Sequence, residues 1–185
     1  MNVREVYLKH RSGLTIPARV AYQWAQRALE LQSRIEEVGF QWKQDRHYNQ
    51  HAHWSREGFE LQARVVPDND AWWTDGVDTY GEFTRTWKPG AIRHHRGRSR
   101  DCRWFVPVNP EYGRQDYDRA CEYGHSWSYI GVTVTAGRAG ITLGEASLWG
   151  IESDSGEDYL TEVALLELAD DAVAWAREAL CRLCA

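Results

Sequence analysis

Ser147-Leu148-Trp149-Gly150-Ile151-Glu152-Ser153-Asp154-Ser155 is the stretch on which the reading of this chain turns. Before it the residues alternate; after it they recur with helical spacing. Upstream, Ile130, Val132 and Val134 share one face, and Tyr129, Gly131, Thr133 and Thr135 the other, which predicts a strand. Ala136-Gly137-Arg138-Ala139-Gly140 reads as a hairpin loop, because its two glycines accept positive φ. A second run, 141–149, puts Ile141, Leu143 and Glu145 on one face, and Glu145 there predicts an exposed strand end. Beyond Ile151 the period changes. Ser153 or Ser155 can cap a helix, with Asp154, Glu157 and Asp158 where the helix dipole favours negative charge. Ser155 and Asp158 form a weak capping box. Tyr159, Leu160, Val163, Leu166, Val173, Leu180 and Leu183 then follow at helical spacing. The stretch is a strand–turn–helix joint.

Outward from this joint, 185 residues are enough for one domain with a real core, burying roughly 70% of the unfolded surface. Ten tryptophans and nine tyrosines supply large burial per residue and also suit an interface. No run of about 18 apolar residues occurs, and the N-terminus lacks a signal-peptide pattern. Cys102, Cys121, Cys181 and Cys184 fit reduced thiols in a cytoplasmic protein. The net charge of −5 conceals a strong asymmetry. Residues 84–103 hold seven Arg or Lys against Asp101 alone, whereas residues 145–171 hold nine acids and no base. Such polarity bears on partners more than on fold.

Along the chain, residues 1–16 read as a lead-in with a short strand at 3–8, and Thr15 precedes Pro17 as a cap. Val20, Trp24, Ala28, Leu31, Ile35 and Val38 form a helical apolar stripe, closed by Gly39. The segment 40–54 reads as polar and amphipathic. Phe59, Leu61, Ala63 and Val65 alternate with Glu60, Gln62 and Arg64 as a half-exposed strand, ended by Pro67-Asp68-Asn69-Asp70. Residues 71–76 read as loop, 78–87 as strand, 93–100 as a basic loop and 102–108 as strand. Asn109 caps a short helix at 110–123, with Gly124 terminating it.

Four constellations bear on chemistry. Arg93, Arg96, Arg98, Arg100 and Arg103, flanked by Trp87 and Trp104, suit phosphate contacts and base stacking. The acids Glu152, Asp154, Glu157, Asp158 and Glu162 suit docking on a basic protein surface, which speeds encounter. Each has a plain structural alternative, a solvated loop for the first and helix capping for the second. His47, His51 and His53 are candidate metal ligands, but no single secondary structure presents all three on one face, and a fourth ligand is wanting. Cys181-Arg182-Leu183-Cys184 sits at a helix end, not the N-terminus that would lower a thiol pKa, and Cys121 with His125 lacks a third group. No Gly-rich phosphate loop, GxSxG or HExxH occurs, and no cofactor is implied.

Residues 116–127, Gly131-Val132 and above all 147–155, with Tyr159-Leu160 and Glu162, resemble a family of bacteriophage and prophage proteins. In that family a short helix leads to a Gly-x-Trp turn and two strands, and a GLWGIESDS-type turn introduces an acidic terminal helix. Tyr80-Gly81-Glu82-Phe83, 87–92 and Phe105-Val106-Pro107 also look like family features. The resemblance covers roughly 78–175, with Ala146 in place of the usual small residue before the turn. It implies a phage accessory protein acting in the host cytoplasm. No catalytic residues come with it. Since phages use small acidic proteins against host defences, it further suggests an anti-CRISPR-like inhibitor.

The expectation is therefore a single α+β domain over 1–185. A long N-terminal helix at 17–38 precedes an antiparallel sheet of about five or six strands at 58–151, which contains the short helix 110–123. A C-terminal helix at 156–183 packs on the sheet. The functional expectation is a non-enzymatic inhibitor that binds a host defence protein or ribonucleoprotein complex. A nucleic-acid binder using the basic loop 93–103 and a metal-dependent enzyme are the alternatives, and no membrane partner is expected.

Overall fold

The computed structural model describes residues 17–47, 49–71, 80–95 and 102–184. The expected strand at 3–8, the Thr15 cap, the loop at 72–76 and Arg96, Arg98 and Arg100 lie outside the described residues. The fold is α+β, with a five-stranded antiparallel sheet and a separate three-stranded one. The chain divides into two compact units. One comprises the described parts of Met1–Val66, Gly131–Leu148 and Ser155–Ala185, the other those of Pro67–Ile130 and Trp149–Asp154.

The first unit opens with helix α1, Ala18–Val38. Pro17 is its N-cap, and its carbonyl accepts the Val20 and Ala21 N–H groups. Gly39 ends the helix with φ 63°, a conformation glycine adopts without a Cβ penalty. The buried line of α1 is set by Ala21 and Ala25, whereas Trp24 is 47% exposed. Of the expected stripe only Trp24 is exposed, whereas Val20, Ala28, Leu31, Ile35 and Val38 are part-buried beside the alanines, which allow a close approach that a tryptophan would block.

The segment read as polar and amphipathic forms two strands, β1 (Lys43–Gln44) and β2 (Gln50–Arg56), followed by β3 (Phe59–Pro67). Antiparallel register sets Lys43 opposite His51, Ala52 opposite Ala63 and Trp54 opposite Leu61. Ala52, Trp54, Leu61 and Ala63 are buried, while His53 and Arg64 are exposed. The period of two was present in the sequence, but with alanine and histidine at alternate sites its apolar contrast was weak.

Two strands near the joint complete the sheet in the order β1-β2-β3-β7-β8. β7 spans Tyr129–Arg138 and β8 spans Ile141–Glu152, so the hairpin loop contracts to Ala139-Gly140, both at positive φ. Gly137 remains in the strand, where a Cβ would press on the Ile141 backbone. Val132, Val134 and Ala136 form the buried face of β7. The C-terminal helix begins as α3 (Glu157–Glu162), passes through a π-helical turn (Val163–Leu168) and continues as α4 (Ala169–Leu183). The extra residue of the π turn lets Val163, Ala164 and Leu165 all be buried in succession. Ser153 and Ser155 do not cap it. Gly156 holds that position, with no side-chain cap bond, because the Ser153 hydroxyl accepts the Ser128 N–H instead.

In the second unit β4 (Gly81–Thr84), β6 (Trp104–Pro107) and β5 (Ile92–Arg93) pair antiparallel in the order β4-β6-β5. Helix α2, Gly113–Glu122, packs against them. Asn109 caps the preceding turn, accepting the Glu111 N–H, while Tyr112 stands at the helix N-cap. The core is aromatic: Phe105, Tyr117 and Trp127 are buried, with Tyr80, Phe83, Tyr123 and Tyr129 packed on them. Their rings meet edge-on or tilted, for example Phe83 to Phe105 at 5.1 Å and Tyr123 to Trp127 at 5.0 Å.

A testable consequence concerns Gly144 on β8. A Cβ there would overlap the Ala172 carbonyl oxygen and the Ala176 nitrogen of α4. Gly144→Ala is expected to destabilise the protein by about 3 kcal/mol through overpacking, read as a lowered midpoint in chemical denaturation. An unchanged midpoint would show that α4 does not sit this close to β8.

Candidate functional site

Helix α2 places Gln115, Asp118, Arg119 and Glu122 on one face, at spacings of three and four residues. Together with Tyr80 and Glu152 they line an open cavity of about 410 Å³ in the second unit. Arg119 is its centre. The guanidinium meets both carboxylate oxygens of Asp154 at 2.6 Å, a bidentate pairing, and also binds Glu152. It lies over the Trp127 ring at 4.1 Å from the centroid, and the Trp127 indole N–H donates to the Arg119 carbonyl at 2.9 Å. The Tyr80 hydroxyl donates to Glu152. Residues 149–154 are held further by the Gly150 N–H donating to Asp68 at 3.0 Å and by the Ser153 N–H donating to the Ser128 carbonyl at 2.9 Å.

The electrostatics match this geometry. The Asp154 hydrogen bond is the largest cause raising the Arg119 pKa, and the same bond holds the Asp154 carboxyl below its ordinary value. Burial, then the bond to Glu152, pushes the Tyr80 phenol up to about 12. A phenol so shifted is a poorer acid, the opposite of an activated nucleophile. The donors of Arg119 are engaged within the protein, so the cluster works as a lock.

The five acids expected at an interface separate into two groups. Glu152 and Asp154 are bound to Arg119, and Glu162 pairs with Arg27, which also holds Glu167 at 2.6 Å. Asp170 is engaged by Arg56. Glu157 and Asp158, in the first turn of α3, are exposed and have no ion-pair partner among the described residues. Tyr159 beside them is 43% exposed.

Of the basic candidates, Arg93 lies on β5 opposite Trp104, and the Arg103 backbone bridges to Thr84 and His94. His51 and His53 share the outer face of β2 with ring centroids 5.5 Å apart, whereas His47 sits in the β1–β2 turn, its backbone N–H bound by Asp45. Among the described residues no three or more His, Cys, Asp or Glu are grouped to hold a metal ion. The four cysteines are free thiols. No helix among the described residues is long and apolar enough to cross a membrane.

Arg119 escaped sequence reasoning. Its partners lie 33 and 35 positions away, and no local period links them. Trp127 pointed at it only weakly, as an aromatic surface close in sequence to an arginine. No family model, curated protein or solved structure matches the chain.

The lock makes stability depend on pH at both ends. Asp154 has a folded pKa below its unfolded value, so its contribution is present above the usual aspartate pKa of about 3.9 and fades as pH falls through the lowered value. Tyr80 has a raised folded pKa, so its contribution is present below about pH 10 and fades from there toward about 12. Denaturation midpoints across pH are expected to fall at both limits. Tyr80→Phe should flatten the alkaline limb, and an unaltered limb would contradict a Tyr80 phenol raised by burial and by its bond to Glu152.

Proposed function

We propose that the protein acts without catalysis, by binding a protein partner through the acidic start of its C-terminal helix. One observation carries this reading. Among the acids of residues 152–162, internal arginines hold Glu152, Asp154 and Glu162, and leave Glu157 and Asp158 exposed beside Tyr159. Carboxylates at a helix N-terminus next to a half-exposed tyrosine suit a basic, partly apolar counterpart, because the charges steer encounter and the ring supplies contact area. The resemblance of residues 147–155 to bacteriophage proteins supports a more specific form: an anti-CRISPR-like inhibitor that occupies the basic surface of a host defence complex in the host cytoplasm. Such a surface ordinarily holds a phosphate backbone, which the acidic turn imitates in charge.

The test is capture of a partner from bacterial lysate after nuclease treatment, followed by binding kinetics with the purified partner. Glu157→Lys combined with Asp158→Lys is expected to lower the association rate about tenfold and to reduce its salt sensitivity. The denaturation midpoint should fall only modestly, since neither residue has an ion pair to lose and each favourable contact with the helix dipole is worth roughly 0.3–1 kcal/mol. Equal association by the folded double variant would remove this surface from the mechanism.

A further inference from the structure

The outer face of the five-stranded sheet in the first unit carries charge of the opposite sign. Register places Lys43, His51 and Arg64 directly opposite one another across β1, β2 and β3, with neighbouring strands about 4.8 Å apart. One step along, His53 stands opposite Gln62 and hydrogen bonds to its side-chain amide at 3.1 Å, while Arg64 donates to the Gln62 side-chain Oε1 at 2.9 Å. On β7 the Thr135 hydroxyl donates to the Gln62 backbone carbonyl. Lys43, His53 and Arg64 are exposed. Neither Lys43 nor Arg64 has an acidic partner among the described residues, although 27 acids are present in the chain. Asp45 lies two residues beyond Lys43, but its carboxylate is taken up by the His47 and Asn49 backbone N–H groups and the Asn49 side-chain amide, and Glu60 stands opposite Ser55 at the far end of β2.

Like charges set opposite each other across a sheet are destabilising. Several other arginines in this unit are matched, Arg27 with Glu162 and Glu167, Arg56 with Asp170 and Arg177 with Glu57. A row of exposed cations without ion-paired acids on the outer sheet face has the charge of a surface for an anionic strand. The two imidazole rings beside it are tilted at 72° to each other, so one can lie against a base while the other turns an N–H outward. We propose that this face binds single-stranded nucleic acid, with Lys43 and Arg64 contacting phosphates and His51 and His53 contacting a base and its backbone. The surface stands independently of the acidic turn, and together they fit a partner that contains both protein and RNA.

Acidification should strengthen the interaction. In the free protein burial, and then the electrostatic influence of His51, Arg64 and Lys43, hold His53 below its ordinary pKa, which favours the neutral ring. A phosphate among these cations favours the protonated ring and draws in a proton.

The experiment is fluorescence anisotropy with a labelled oligothymidylate of about 20 nucleotides at low salt, with anionic lipid vesicles as a second probe. Saturable binding of the oligonucleotide and none of the vesicles is expected. Lys43→Glu with Arg64→Glu should weaken it at least tenfold, each lost cation lowering the salt-dependence slope by roughly 0.7. Both positions are exposed, and circular dichroism verifies that the variant folds. Affinity should rise from about pH 8 to about pH 6, and His51→Gln with His53→Gln should remove that rise. No binding at low salt, equal binding by the charge-reversed variant, or vesicle binding abolished by the same variant would overturn the proposal. A pH-independent affinity in the unaltered protein would overturn the role of the histidines.

Discussion

The bidentate pairing of Arg119 with Asp154 fixes the second unit, because that unit is built from two pieces distant in sequence. The chain leaves it at Ile130 and returns to it only at Trp149. Six residues re-enter, and few of them bring apolar burial; Ile151 is the main exception. What retains them is polar: Arg119 on Glu152 and Asp154, Tyr80 on Glu152, Asp68 on Gly150 and Ser128 on Ser153. Arg119 in turn is oriented by Trp127, which covers the guanidinium and anchors on the helix carbonyl. Exposed ion pairs contribute little, but Arg119 is only 21% exposed and makes several contacts at once. Networks of this kind exceed isolated pairs.

The same principle organises charge in the first unit. The acid-rich part of the sequence does not present itself whole to solvent. Arg27 reaches across to Glu162 and Glu167, and Arg56 reaches Asp170, so residues far apart in sequence hold α1 and the β2–β3 hairpin to the C-terminal helix. Thr161, the one buried polar side chain among the described residues, takes the Trp42 indole N–H at 2.9 Å and donates to the Glu157 carbonyl at 2.8 Å. The first turn of α3 is therefore held from behind while its carboxylates face outward. That arrangement anchors the backbone beneath Glu157 and Asp158, which would lower the entropic cost of the proposed docking.

The long helices and the hairpin near the joint were legible because their signals are local. Periods of 3.6 and 2 repeat over enough residues to stand out, and Gly39 and Gly140 mark their ends. The helix cap was misassigned because Ser153 has two competing uses, and the partner 25 residues upstream wins. β1 and β2 were missed because alanine faces histidine there, so alternation carried little contrast. Trp24 was placed inside by its hydrophobicity, whereas Ala21 and Ala25 form the close-packed line. The acids of the joint were recognised as a group, but their division into bound and free required arginines at 27, 56 and 119, whose spacing follows no pattern. Part of the aromatic excess fills the core of the second unit, as Tyr117 and Trp127 demonstrate, while Trp24, Trp87, Trp149 and Trp175 are exposed.

The central claim is that Asp154 belongs to the fold and not to the interface. A double-mutant cycle on Arg119→Met and Asp154→Asn, followed by chemical denaturation, tests it most directly. Each single variant is expected to be destabilised, and the two to be coupled by about 1 kcal/mol or more. Additive effects, with no coupling, would contradict it and return Asp154 to the exposed acids available for a partner.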